Sequence, residues 1–412
     1  MVFKRKEQIF DIAISGGGVV GSTMAGLLGL QGFQVCLICG ESKPKWSRDY
    51  YHPRVNAVNH ASIRIFKYLG IWEDIRKKRV NPYYQMKVWE SDTDGSIQFT
   101  AHELRVPHLG TIIENTVLTS SLFEFLRQQS NISLIEKSQL EDISYKNEYL
   151  HLRTHSGHEV SCRLLVGADG ANSISRSLSH IGKKQYISGQ HAIVSEVLTE
   201  NQDGHTAWQV FLPTGVAALL PLDKGKFSLV WSCNDLDFRT LLAQNDAAFC
   251  ESLNTIFKGR VGTILSTGKR SSFALMQHQA ESYIADRVVL IGDSAHAIHP
   301  LAGLGANMGL LDAACLSQIL GESKQNGRDI DSYTVLRRYE RWRKGENGLV
   351  LNAMRGFKFL FGSSIQGSRM IGGAGFKIVD RLQPVKKTLA GFAMGNIGDL
   401  PYICSASKNA DI

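Results

Sequence analysis

Three clusters of glycine and aspartate carry the chemistry open to this chain. In the first, ISGGGVVG, Gly16 permits a tight turn, Gly18 removes a side chain from the path of a pyrophosphate, and Gly21 lets a helix pack closely on a strand. A helix N-terminus facing that gap offers unpaired N–H groups and partial positive charge to an anion. In the second, GADGANSISR, Asp169-Gly170 makes a tight turn and Ser173 can cap the helix that follows. The third, GDSAHAIHPLAGLGAN, ends a strand at Gly292-Asp293 and runs through Pro300 and Gly303 to a helix beginning near Gly305 or Ala306. An aspartate at such a strand end can accept hydrogen bonds from the hydroxyls of a bound chain, and the helix N-terminus suits an electron-rich carbonyl or a developing anion. His296 and His299 are the candidate acid–base groups of this loop; their other reading is hydrogen-bonded scaffolding.

These clusters need strands and helices to aim them. Ile9 to Ile14 is an apolar run of strand length. Met24, Ala25, Leu27, Leu28 and Leu30 recur at helical spacing, Gly32 stops that helix, and Phe33 to Ile38 resumes a buried-strand pattern. The result is a βαβ start, the context in which a GxGxxG turn binds a dinucleotide. The acidic residue that would end the second strand and hold the adenosine ribose is replaced by Cys39, with Glu41 two residues beyond. Leu164 to Val166 and Val288 to Ile291 predict two more buried strands ahead of the second and third clusters.

Between them, Asn59 or Ser62 can begin a helix whose apolar face is Ile63, Ile65, Phe66 and Leu69, with Arg54 just ahead. A hairpin is predicted around Asp94-Gly95, a helix over Val117 to Gln129, a strand over Ile132 to Ile135 and a second hairpin around Ser156-Gly157. Residues 186 to 233 alternate in period two, which predicts an antiparallel sheet with one face free to lie over a site, and a helical pair follows around Phe238 to Phe257.

The chain has 412 residues, 43% hydrophobic and 20% charged, which is the profile of a globular protein of two or three domains. No apolar run approaches the ~20 residues of a membrane-spanning helix and the N-terminus carries no long apolar segment, so the expected location is the cytoplasm. Seven cysteines argue against a disulfide framework; Cys36 and Cys39 form a CxxC on a buried strand, where core packing is the favoured reading over metal or redox use. No metal site is expected. The net charge is +8, with clusters at Arg76 to Arg79, Arg337 to Arg343 and Lys386-Lys387 that read as solvated helix faces. An anionic membrane surface is the functional alternative, and no nucleic-acid motif is present. Phe357, Phe359 and Phe361 read as core or loop, with a prenyl or membrane contact as the sharper reading.

Taken together, GGGVVG, GADGANSISR and GDSAHAIHPLAGLGANMGLLDA resemble the three fingerprints of the class A FAD-dependent aromatic hydroxylases. ENTVLTSSLFEFL, RYERWRKGENGLVLNAM and GNIGDLP are similar to the branch that hydroxylates polyprenylated phenols in ubiquinone biosynthesis, nearest to the 2-octaprenylphenol hydroxylases. The resemblance implies an α/β fold in which a Rossmann-like FAD-binding domain (1–80, 105–183 and 270–340) interleaves with a substrate domain on an antiparallel sheet (81–104 and 184–269), followed by C-terminal helices (341–412). Gly16, Gly18 and Gly21 would hold the FAD pyrophosphate, Arg54 would sit beside the flavin, and Arg127 would reach the phosphates. Asp169 and Gly170 would serve FAD and a transient NAD(P)H, Asp293 would accept from the ribityl chain, and Pro300 would line the flavin pocket. Gly303, Gly305, Ala306 and Asn307 would offer backbone groups to the pyrimidine side.

The implied reaction uses NAD(P)H and O₂ through a flavin hydroperoxide to hydroxylate a polyprenylphenol, at a location peripheral to the inner membrane and among other ubiquinone-biosynthesis proteins. A non-catalytic scaffold and a flavin reductase or dehydrogenase are the alternatives. Cys39, Ser294 and Leu304 depart from the family's pattern, and the departures predict a weakened hold on FAD.

Overall fold

The computed structural model describes every residue except 1–8, 43–44, 94, 147, 203, 299–302, 362–379, 381 and 406–412. Its first layer is an eight-stranded sheet built on the predicted βαβ unit. Strand Ile9–Ser15 lies between Val35–Ile38 and Glu159–Gly167, with Ile132–Ile135 beyond the one and Val288–Leu290 beyond the other, and all five run parallel. The two neighbours of the central strand lead away in opposite directions, so the crevice at their carboxyl ends is the topological switch point where such sheets bind ligands. The near-continuous apolar runs follow from burial on both faces: Ile12, Ala13, Ile14, Leu164, Leu165 and Val166 are fully buried. The α/β class expected from the sequence is borne out.

The second layer is a nine-stranded, mostly antiparallel sheet. Lys183–Thr199 is its long central strand, flanked by Ser271–Ala280 and Lys226–Asn234, and followed outward by Gly215–Pro221, Thr206–Leu212, Gln85–Glu90 and Ser96–Thr100. Helices Asp235–Ala243 and Asp246–Phe257 cover one face of it around Phe227, Trp231, Phe249 and Phe257. The two-residue strand His296–Ala297, immediately after the third glycine–aspartate corner, pairs with Ser271–Ala280. That pairing ties the antiparallel sheet to the end of the parallel sheet.

Helix His60–Tyr68 begins where Asn59 accepts a hydrogen bond from Ser62 N–H at 3.0 Å, which decides between the two predicted starts. The helix after the third corner, Leu304–Gln325, starts one residue earlier than predicted because Gly303 adopts a left-handed φ of 62° and turns the chain directly into it. Helices Tyr333–Phe361 and Gln383–Ala393 form the C-terminal region. The backbone at Phe357, Phe359 and Phe361 is helical, and their side chains lie outside the described residues.

The reading of the basic clusters as solvated faces needs correction. Arg76 and Lys77 are exposed, but Arg79 is largely buried, pairs with Glu114 at 2.7 Å and lies 3.8 Å from the Tyr51 ring. Lys386 is buried between Glu103 and Asp380, and Arg343 is buried against Asp312 at 2.7 Å. Each of these three cations holds two distant segments together.

Candidate active site

The three glycine–aspartate corners converge at the carboxyl end of the parallel sheet. Gly16 has φ of 119°, and a Cβ there would fall 2.2 Å from the Ala168 carbonyl oxygen, so the first turn rests directly on the second corner. A Cβ on Gly21 would fall 1.9 Å from the Gly16 carbonyl oxygen, the close helix–strand approach that its place in the motif requires. The third corner joins the first through Gly309, where a Cβ would meet Val20 at 2.7 Å and the Gly292 backbone at 3.1 Å. Gly18 differs from all of these: a Cβ there would meet nothing within 4 Å. It heads helix Val19–Leu30 with no side-chain cap, which leaves the helix N–H groups facing open space.

Long-range polar clamps lock the second and third corners. Ile291 N–H donates to the Gly167 carbonyl at 2.9 Å, and the Ser294 hydroxyl lies 2.5 Å from the Gly167 carbonyl and 2.7 Å from that of Ile291. The serine that departs from the family pattern is thus fully buried and bonded. Arg176, on the short helix Ile174–Leu178, reaches back to donate to the carbonyls of Ala171 at 3.0 Å and Ser294 at 2.8 Å. His278, from the antiparallel sheet, lies 3.4 Å from the Arg176 guanidinium and hydrogen-bonds the Asp293 backbone. Burial, with positive charge at Arg176, Lys183 and His296, presses the His278 pKa down to about 4, so the imidazole is neutral at neutral pH.

Asp293 sits deep in the concavity between these clamps, yet its side chain is open to the cleft. Surrounding protein raises its carboxyl pKa above the ordinary carboxylate value. The charges of His296 and Arg54 oppose that rise, and Asp312 adds to it. Arg54 is exposed and close enough to act on Asp293. It precedes strand Val55–Val58, which Asn307 holds against the third corner: the buried Asn307 amide donates to Ala57 O at 2.8 Å and Gly303 O at 3.1 Å. Its oxygen accepts from Asn59 N–H at 3.0 Å and Ser62 Oγ at 2.8 Å. All four hydrogen-bonding positions of that side chain are used internally, so Asn307 has only backbone groups left for a ligand. Gly305 and Ala306 stand half-buried in the first turn of helix Leu304–Gln325, which has no side-chain cap. The Leu304 side chain, His299 and Pro300 lie outside the described residues.

Other predicted residues have internal partners. Asp169 accepts from Ser175 N–H at 2.8 Å and pairs with the Ser173 hydroxyl, so its carboxylate shapes the turn that Gly170 completes with φ of 80°. Arg127, at the end of helix Asn115–Leu126, pairs with Glu136. His296 is buried with Nε2 2.5 Å from Asp312 Oδ2. Burial would raise the Asp312 carboxyl, but the charges and hydrogen bonds of His296 and Arg343 outweigh it and hold its pKa down to about 2. Asp312 also accepts from Gly292 N–H at 3.0 Å and from Asn347 at 3.1 Å. This network braces the backbone on which Asp293 stands and buries His296 with its Nε2 committed to Asp312.

A family model described as an FAD binding domain matches residues 10–344. The chain belongs to this family. Its relatives include 3-demethoxyubiquinol 3-hydroxylase of Escherichia coli (strain K12), 32% identical over 388 residues and covering 93% of this chain and 98% of that one. They also include ubiquinone biosynthesis monooxygenase COQ6, mitochondrial, of Xenopus tropicalis, 31% identical over 434 residues and covering 93% of each chain. Among solved structures, p-nitrophenol 4-monooxygenase PnpA from Pseudomonas putida DLL-E4 shares the fold with a TM-score of 0.77 at 21% identity, over 94% of this chain and 98% of that one. The resemblance read from the three fingerprints is borne out: this is an FAD-dependent monooxygenase, similar to hydroxylases of the ubiquinone branch.

The residues fit FAD. The open space at Gly18 before an uncapped helix N-terminus suits a pyrophosphate, and a second uncapped helix N-terminus lies at Gly303 beside the cleft-facing Asp293. Sequence reasoning missed Arg176, His278, Asp312 and Arg343. Only Arg343 left a signal, because it falls in phase with the buried Tyr339, Asn347 and Leu351 at intervals of four along one helix face.

Proposed function

We propose that this FAD-dependent monooxygenase hydroxylates the aromatic ring of a polyprenylated phenol in ubiquinone biosynthesis, with NAD(P)H as reductant and O₂ as the source of the inserted oxygen. One oxygen atom enters the ring and the other leaves as water, balanced by two electrons from NAD(P)H and one proton. The observation that carries the reading is the convergence of three glycine–aspartate corners, the third joined through His296–Ala297 to an antiparallel sheet, in a chain 32% identical to a 3-demethoxyubiquinol 3-hydroxylase.

Bound FAD supplies the redox chemistry that amino-acid side chains lack. The chain's own residues bind, orient and shield. Gly16, Gly18 and Gly21 admit the pyrophosphate to the helix N-terminus, Arg127 supplies positive charge to the phosphates, and Arg54 supplies it beside the flavin. Asp293 takes the ribityl hydroxyls. Asp169 and Gly170 shape the edge shared with NAD(P)H. Gly303, Gly305, Ala306 and Asn307 would offer the backbone of the first helical turn to the pyrimidine side, where helix N–H groups suit negative charge, and Pro300 would line the flavin pocket. The substrate-side sheet closes over the ring and excludes water. His296 is committed to Asp312 through Nε2 and has no part in proton transfer in this scheme.

The deciding measurement is turnover under ¹⁸O₂. One labelled oxygen is expected in the hydroxylated phenol. Reduced flavin turnover without label in the product would replace hydroxylation by a reductase or dehydrogenase reading, and no turnover at all would leave a scaffold.

No helix among the described residues is long and apolar enough to cross a membrane. A cytoplasmic enzyme peripheral to the inner membrane fits a prenylated substrate, and helix Gln383–Ala393 supports it by exposing Val385, Leu389 and Phe392 beside Lys387. Cosedimentation with anionic vesicles is expected and should weaken in Phe392→Ser; equal recovery of the protein in the supernatant with and without vesicles would reject the membrane reading.

A further inference from the structure

The second strand ends without the acidic residue that would hold a ribose. Cys39 stands where the second parallel strand ends. Its thiol is buried, and burial, with the nearby Glu136 and Cys36, pushes its pKa up to about 12, so it is a neutral thiol in the working range. It packs under the glycine-rich turn: a Cβ on Gly17 would lie 2.5 Å from its Sγ. A buried thiol there cannot accept hydrogen bonds from a ribose as a carboxylate would.

The third parallel strand ends beside it. Ile38 pairs with Ile135, Cys39 N–H donates to the Ile135 carbonyl at 2.8 Å, and Ser138 N–H donates to the Cys39 carbonyl at 2.9 Å. Continuing that register sets Glu136 opposite Cys39. In-register residues of parallel strands point to the same face, and the lateral step is about 4.8 Å, within the reach of a glutamate side chain. Lys137, with φ of 56°, turns the chain away immediately afterwards, so Glu136 is the last side chain this strand offers at the crevice. Its side chain keeps 26% exposure and pairs with Arg127, itself 47% exposed. A half-open carboxylate is therefore held at the carboxyl end of the sheet, on the side of the glycine-rich turn, by the arginine assigned to the FAD phosphates.

We propose that Glu136 binds the adenosine ribose hydroxyls of FAD, taking over from the second-strand position that Cys39 occupies. Glu136 accepts from the ribose while Arg127, paired with it, faces the phosphates. The departure at Cys39 is thereby compensated on the neighbouring strand, and tight retention of FAD does not require an acid at residue 39. The inference rests on FAD being the nucleotide bound, which titration of the unaltered protein with FAD tests separately.

The test is a titration of apoprotein with FAD and with an FAD analogue lacking the adenosine 2′- and 3′-hydroxyls, followed by flavin fluorescence. The unaltered protein should bind FAD about tenfold or more tightly than the analogue; Glu136→Gln should weaken FAD by a similar factor and leave the analogue unchanged, as expected for loss of a charge-assisted hydrogen bond. Thermal melting of the variant apoprotein, expected to match the unaltered protein, confirms that the fold is intact. Equal affinity of the unaltered protein for FAD and analogue would overturn the assignment without recourse to any variant. Equal weakening of both ligands by Glu136→Gln would also overturn it, because the residue would then act only through Arg127 and the phosphates.

Discussion

Asp293→Ala is expected to purify folded, to bind FAD about a hundredfold more weakly, and to lose hydroxylation in proportion to the FAD lost. The expectation follows from a carboxylate that the fold desolvates without supplying a donor. Among the described residues no hydrogen bond reaches the Asp293 side chain, while the surrounding protein raises its pKa. A carboxyl whose folded pKa is raised opposes folding as pH rises through the ordinary carboxylate range, since the folded state then disfavours the charged form. Removing it should leave the apoprotein as stable as before or slightly more so. In the proposed role the stabilising partners would come with the cofactor, whose hydroxyls would donate where the protein does not. Asp293→Asn, which keeps one acceptor oxygen, should fall between. FAD titration, product analysis and apoprotein melting on the same preparations separate these effects. Unchanged hydroxylation in Asp293→Ala would remove Asp293 from the site, and a collapsed apoprotein would make it a structural residue.

That separation between binding and bracing explains which parts of the molecule the sequence disclosed. A corner such as Gly16–Gly21 is legible because its geometry is a local steric fact: no side chain fits at Gly16 or Gly21, and the strand before it and helix after it announce the turn. The strands around Ile12, Val166 and Val289 were legible for the same reason, because burial on both faces writes a continuous apolar run. Arg176 gave no such sign. Its meaning lies in the Ser294 carbonyl, 118 residues away, and in His278 on the other sheet. Cys39 was visible as a departure, but the carboxylate opposite it required the register of Ile38 with Ile135. Lys386 and Arg343 misled, since a cation inside a run of cations has the composition of a solvated face. Asp169 was legible as a turn former, and its carboxylate proved to be engaged with Ser173 and Ser175.

Asp312 gives the opposite expectation from Asp293, and the contrast tests the division between them. Asp312 is fully buried and receives hydrogen bonds from Gly292 N–H, His296, Arg343 and Asn347. Asp312→Asn keeps the shape and removes the charge, which strands the Arg343 guanidinium in the interior. Leaving one partner of a buried ion pair uncompensated costs about 3–5 kcal/mol, so the denaturant midpoint should drop sharply and FAD should be lost with the fold.

The pH dependence has a definite sign. The folded pKa of Asp312 is depressed from 3.8 to about 2. Its ionisation therefore contributes stability that is fully present above about pH 4 and is lost as pH falls through about 2, an increment of about 2 kcal/mol. The gap in denaturant midpoint between the unaltered protein and Asp312→Asn should be constant from pH 7 to about 5 and narrow as pH falls from 4 toward 2. Arg343→Met in the Asp312→Asn background should recover part of the loss at pH 7, because it removes the stranded charge and packs an apolar chain of similar length in its place. If Asp312→Asn melts like the unaltered protein, or if the added Arg343→Met deepens the loss, the ion pair does not brace the third corner and the support assigned to Asp293 must be sought elsewhere.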